Sequence, residues 1–126
     1  MIPAVPNTVF QLGRVLIGAA FVAAPVRAGE GWIGDAAGAD GGVMARAFGG
    51  RDIALGVATI VAAREPRVLR PLLALGVMVD VIDCAATIAA GERIPKQART
   101  VSAAVAAMAA VNGARLLART AGNDGP

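Results

Sequence analysis

"PLLALGVMVDVIDCAATIAA", residues 71–90, is the clearest apolar run in the chain, and its only charges are two aspartates, Asp80 and Asp83. Wound as an α-helix at 1.5 Å per residue, it is about 30 Å long, the hydrocarbon thickness of a bilayer. A lone charge at that depth costs on the order of 3 kcal/mol even on insertion scales. The two carboxylates therefore require partners from other segments, and the remaining polar residues are read for that role.

The chain has 126 residues, enough for one domain. It is 56% apolar but only 3% aromatic, and its apolar content comes largely from alanine, with 16 glycines beside it. Small residues at that density suit helices that pack closely in a membrane. Net charge is +3 and the pI about 10.4. The basic residues nevertheless sit at the ends of apolar runs rather than in a stripe. With Tyr absent and one Trp present there is no stacking platform, so no nucleic-acid partner is expected. A single cysteine, Cys84, and no histidine exclude an intrachain disulfide and a Cys/His zinc site.

Four apolar segments emerge, at about 9–26, 43–63, 71–90 and 101–118, each long enough to span the hydrocarbon. The expected fold is all-α, a four-transmembrane-helix bundle forming a single integral membrane domain over 1–126. Residues 119–126 are read as a flexible tail. No Lys or Arg precedes Arg14 and no A-x-A site follows the first segment, so a cleaved leader is not expected. Between the first two segments, Arg27–Gly42 reads as a Gly-rich acidic loop, with Trp32 at the membrane interface. Arg64–Arg70, with Pro66 and Pro71 as breakers, and Gly91–Arg99 read as short basic loops. Four spans place both termini on one side. The arginines of 64–70 favour cytoplasmic termini, while those of 91–99 would then lie outside. The orientation adopted is a multi-pass cell-membrane protein with cytoplasmic termini.

At 100° per residue, the polar and small residues of each segment fall into stripes. In the third, Gly76, Asp80, Asp83, Thr87 and Ala90 share a face opposite Ala74, Met78, Val81, Ala85 and Ile88. The second aligns Ala45, Gly49, Asp52, Gly56, Thr59 and Ala63, with Ile53, Val57, Ile60 and Val61 turned away. The first aligns Asn7, Gln11, Arg14, Gly18, Phe21 and Pro25. The fourth gives Val105, Ala109, Asn112, Leu116 and Arg119, with Ser102 and Arg115 at its margins. Such stripes face other helices, where their polar members find partners.

The candidate site is thus an intramembrane polar cluster of Arg51, Asp52, Asp80 and Asp83, with Arg14 as an outer partner nearer the surface. Two arginines against three aspartates leave one excess negative charge if all are ionised. One aspartate, Asp80 or Asp83, is then expected to be protonated or to pair with a bound cation or cationic ligand. The same cluster read structurally fixes helix register and partner choice. Arg115 and Arg119 read as snorkelling side chains at a helix end. The chain has no C-x-x-C, no histidine for haem or di-iron ligation, no dinucleotide fingerprint after a strand and no nucleophile elbow. No catalytic, cofactor or metal residue is assigned.

"GGRDIALGVATIVAAREP", residues 49–66, resembles a group of small, uncharacterised bacterial integral membrane proteins whose second helix carries a G-x-R-D-x-x-L-G pattern. Here that pattern is Gly49, Arg51, Asp52, Leu55 and Gly56. The group's first-helix R-x-x-x-G is matched by Arg14 and Gly18, and its carboxylate-bearing third helix by Asp80 and Asp83. The Ala/Gly/Arg bias is similar to that of actinobacterial membrane proteins, and "LGRVLIGAAFVAAP" is similar to the opening of DoxX-type proteins. The resemblance implies a four-helix membrane fold and no activity.

The function expected is a non-enzymatic accessory or scaffold bundle in the lipid bilayer, self-associating or held in a larger membrane complex. The alternative is a small-molecule, proton or cation site at Asp80 and Asp83. A membrane enzyme using the aspartates as acid and base is a third reading.

Overall fold

The computed structural model describes residues 5–122, and over these the chain is all-helical. Five α-helices follow one another: α1 (Asn7–Ala23), α2 (Pro25–Ile33), α3 (Val43–Val61), α4 (Pro66–Ala89) and α5 (Lys96–Ala121). Short 3-10 turns occupy Gly34–Gly38, Ala62–Arg64 and Gly91–Arg93.

Two corrections concern the connections. Arg27–Gly42 is not a loop but mostly α2 and the 3-10 turn that follows. Pro25 cannot supply the amide that would continue α1, so the chain breaks at Ala24, and Pro25 starts α2 from its first turn. The axis turns by 115° there. The proposed loop at 64–70 is mostly helix as well, because Pro66 occupies the first turn of α4, where no amide donor is needed. Pro71 lies one turn further in, and the helix continues through it. At the C-terminal end, α5 runs to Ala121, so 119–121 are helical; residues 123–126 lie outside the described residues.

α1 and α3 pack antiparallel along their lengths, and so do α4 and α5. Glycines set the first approach. A Cβ at Gly18 would lie 2.6 Å from the Gly49 carbonyl oxygen, and a Cβ at Gly49 would collide with the Gly18 carbonyl oxygen. Two turns along α3, Gly56 receives the Val15 side chain. The small-xxx-small logic of membrane helices is therefore realised between α1 and α3. Gly42, at φ 82°, holds the left-handed turn before α3 that an L side chain would strain.

One end of the bundle is apolar: Ala62, Leu69, Leu73 and Leu116 are buried there, with Phe10, Leu72 and Leu117 packed around them. The other end is covered by α2, whose Trp32 carbonyl accepts a 2.9 Å hydrogen bond from the buried Ser102 hydroxyl of α5. Trp32 is correspondingly half-buried within the protein, its ring facing Phe21 and Phe48.

The buried faces of α1 and α3 follow the stripes read from sequence. Gln11, Arg14, Gly18 and Phe21 are buried on the first, and Gly49, Asp52, Gly56 and Thr59 on the second; Pro25, also buried, belongs to α2. On α4, Asp80 and Thr87 are buried, whereas Ala74, Met78, Val81, Ala85 and Ile88 are all exposed. α5 differs from its expected face. It buries Ser102, Ala106, Ala110, Gly113 and Leu116, leaving Val105 and Arg119 outside.

Apolar side chains are exposed on every long helix, Leu16, Val61, Met78, Ile88 and Met108 among them, while Arg14, Asp52 and Asp80 are buried inside. α4 and α5 are each long and apolar enough to cross a membrane, with mean hydropathy 2.0 and 1.5 over their best stretches. The bent pair α1–α2 qualifies as a third if taken as one span. α3 carries Arg46, Arg51 and Asp52 and does not qualify on composition. Two helices, or three with the bent pair, are thus compatible with a membrane protein.

Candidate functional site: an arginine–aspartate network beside an aromatic cleft

The polar centre is built from one face each of α1, α3 and α4. Arg14 is the middle residue of the α1 stripe, and its guanidinium reaches both neighbouring helices. Its Nη2 donates to Asp80 Oδ2 at 2.5 Å, and its Nη1 lies 3.4 Å from Asp52 Oδ1. The Arg14 side chain is only 6% exposed. Arg14 is thus a central member of the network, bonded to two of its aspartates. α1 begins at Asn7, two residues earlier than the segment read from sequence, and the long side chain carries the charge inward.

Arg51 sits at the rim instead, with a side chain 33% exposed. It points toward α4, where Nη1 and Nη2 donate to the two oxygens of Asp83 at 3.0 and 2.6 Å. This forked pairing fits a planar guanidinium to a planar carboxylate. Its Nε and Nη2 also approach Asp52 Oδ1 at 3.4 and 3.3 Å. Asp52 thus joins the two halves of the network. Arg14, Arg51, Asp52, Asp80 and Asp83 form one connected system across three helices.

Threonines close the local ledger of polar groups. Thr59 and Thr87 each donate to a carbonyl one turn back, Leu55 and Asp83 respectively, at 2.7 Å. Neither is a spare donor for the network. Among the described residues, no group of three His, Cys, Asp or Glu side chains is arranged to hold a metal ion. Cys84 is a free, partly buried thiol.

A cleft of about 720 Å³ opens beside the network, between the α2 cap, α3 and the C-terminal half of α4. Arg51 and Asp83 line it, and the Arg14–Asp80 pair does not. Its walls include Phe21, Trp32 and Phe48, three of the four aromatic residues of the sequence. Phe21 and Phe48 have ring centroids 4.7 Å apart, with Trp32 at 5.5 Å from Phe48. Phe48 also underlies Arg51, whose Cζ is 4.6 Å from the ring centroid. Asp40 stands at the cleft as well, its carboxylate accepting from the Gly42 and Met44 amides at 2.8 and 2.9 Å. These amides hold the Asp40 carboxyl below its usual pKa, so it is a fixed negative charge at neutral pH.

Trp32, Phe21 and Ser102 each stand out in the sequence, but Phe48 does not, and neither the shared aromatic wall nor the Ser102–Trp32 contact follows from the stripes. The available signal was indirect: with so few aromatics in the chain, Trp32, Phe21 and Phe48 flank the same bend.

No family model matches the chain, and no curated protein or solved structure matches it.

Proposed function

We propose that the chain is a small four-span membrane bundle of non-enzymatic, accessory or scaffolding character. The observation that carries this reading is Arg14, buried between helices and bonded to both Asp52 of α3 and Asp80 of α4. A charge so placed joins the α1–α3 pair to α4–α5 and specifies how they meet. Each of the three aspartates already accepts from a guanidinium, which disfavours a general-base role for any of them.

The fourth span is supported by packing rather than by hydropathy. α3 lies antiparallel against α1, so a membrane that contains α1 also contains α3. Arg51 and Asp52, costly alone, are then paired inside the bundle with Asp83 and Arg14. α2 lies across one end at the membrane surface. Both termini face the cytoplasm, the orientation that the arginines of 64–70 favour.

The apolar exterior is shared between lipid and a partner, either another copy or a larger complex. Purification from the native host in mild detergent, followed by native mass spectrometry, tests this. The expected result is a homo-oligomer or a stoichiometric complex with a second polypeptide. A lone monomer retaining only lipid would contradict the scaffold reading.

A further inference from the structure

The cleft beside Arg51 and Asp83 has a size and chemistry of its own. At about 720 Å³ it falls within the range of small-molecule sites, roughly 300–1,000 Å³. Its lining combines an apolar aromatic wall with charges on two sides, Asp40 from the turn before α3 and the Arg51–Asp83 pair.

The charge balance selects the ligand. Two carboxylates and one guanidinium line the cleft, and behind them the connected network holds three aspartates against two arginines. Arg51 has little to offer an anion, because its Nε, Nη1 and Nη2 each already approach Asp52 or Asp83. Asp83 does have capacity left. A carboxylate offers about four acceptor positions, and Arg51 takes one on each oxygen. Trp32 stands beside Phe21 and Phe48 in the cleft wall, and aromatic faces attract cations, as Phe48 already does with Arg51.

We infer that this cleft binds an amphiphilic organic cation, its apolar body against Phe21, Trp32 and Phe48 and its positive charge beside Asp83 and Asp40. The bound charge balances the excess carboxylate of the network. This goes beyond the scaffold reading and does not depend on how many helices span the membrane.

Trp32 is the single tryptophan of a chain without tyrosine, so its emission reports directly on the cleft. The purified full-length protein in detergent is titrated with tetraphenylphosphonium and, in parallel, with tetraphenylborate, a probe of similar shape and opposite charge. The expected result is a saturable change in Trp32 emission with the phosphonium alone. Asp83→Asn should weaken that binding at least about tenfold, and the milder Asp40→Asn about threefold, as expected for loss of a nearby charge. Because Asp83→Asn also breaks the Arg51 pair, Ala86→Phe supplies a second variant. Ala86 is exposed in the cleft wall one turn from Asp83, and the substitution leaves every charge in place. It should abolish the saturable signal without altering helix content or melting temperature. Equal binding of the borate, no saturable phosphonium signal, or wild-type binding by Ala86→Phe would each overturn the proposal. None of these bears on whether the protein is a membrane scaffold.

Discussion

Arg14 on α1 and Asp80 on α4 meet at 2.5 Å in the interior, both side chains under 10% exposed, from positions 66 residues apart in sequence. The contact joins the two antiparallel helix pairs through side chains withdrawn from the surface. Removing one member leaves a buried charge uncompensated, which costs far more than the pair contributes over an apolar substitute.

Arg14→Ala should therefore destabilise the protein by about 3–5 kcal/mol, read as a fall in melting temperature in detergent. Asp80→Asn added to Arg14→Ala should recover part of that loss, because it removes one of the stranded charges. A double-mutant cycle measures the coupling, and additivity of the two effects would contradict a direct pair.

The α1–α3 contact makes a prediction with its own control. Gly49→Ala puts a Cβ against the Gly18 carbonyl, backbone against backbone, and should cost about 1–3 kcal/mol through overpacking. Gly50→Ala, one residue along, meets nothing within 4 Å and should be neutral or stabilising by up to about 1 kcal/mol, since alanine favours helix. Chemical denaturation of the two variants side by side separates packing from propensity.

Ser102 is 1% exposed and holds the Trp32 carbonyl, tying the α2 cap to α5. Ser102→Ala should cost about 1 kcal/mol, the net worth of one hydrogen bond plus the stranded carbonyl. It should also shift Trp32 emission to the red as the cap loosens. An unchanged emission maximum would mean that the aromatic contacts hold Trp32 without the hydroxyl.

The turn before α3 is pH-sensitive in a defined direction. The amides of Met44 and Gly42 lower the Asp40 carboxyl below its ordinary value of 3.8. The stabilisation is fully present above that value and disappears as pH falls through the lower folded pKa. Amide hydrogen exchange at Gly42 and Met44 should accordingly accelerate below about pH 4, once intrinsic rates are divided out, and not between pH 5 and 8.

The stripes of α1, α3 and α4 were legible because their polar and small residues stand out at helical spacing against Leu, Val and Ile. In α5 the background is alanine itself. Ala106, Ala110 and Gly113 mark the buried face, but alanines occupy the other faces too, and the pattern pointed to Val105 and Asn112 instead. Asn112 serves the chain's start rather than the core, its Oδ1 accepting the Val5 amide at 2.7 Å. α2 is hidden in the sequence because its glycines and glutamate resemble a loop, and the helix depends on tertiary contacts. Pro66 and Pro71 read as breaks, yet the first starts α4 and the second sits inside it, while Pro25, expected on the face of the first helix, instead starts α2. The polar residues of the network were visible one by one. Their connectivity was not, because it depends on how far each arginine side chain reaches: Arg14 inward, Arg51 to the rim.

A four-span bundle requires α3 to cross the membrane despite Arg46, Arg51 and Asp52. Cys84 is the sole cysteine, so a Cys84→Ala background allows single-cysteine labelling of the full chain with a membrane-impermeant maleimide. Ala39→Cys and Ala63→Cys flank α3 at exposed positions, and Glu92→Cys and Ala121→Cys flank α5. A four-span bundle with cytoplasmic termini predicts labelling at 39 and 92 in intact cells, and at 63 and 121 only after permeabilisation. Labelling of 39 and 63 from the same side would mean that α3 does not cross, and the four-span bundle would be wrong.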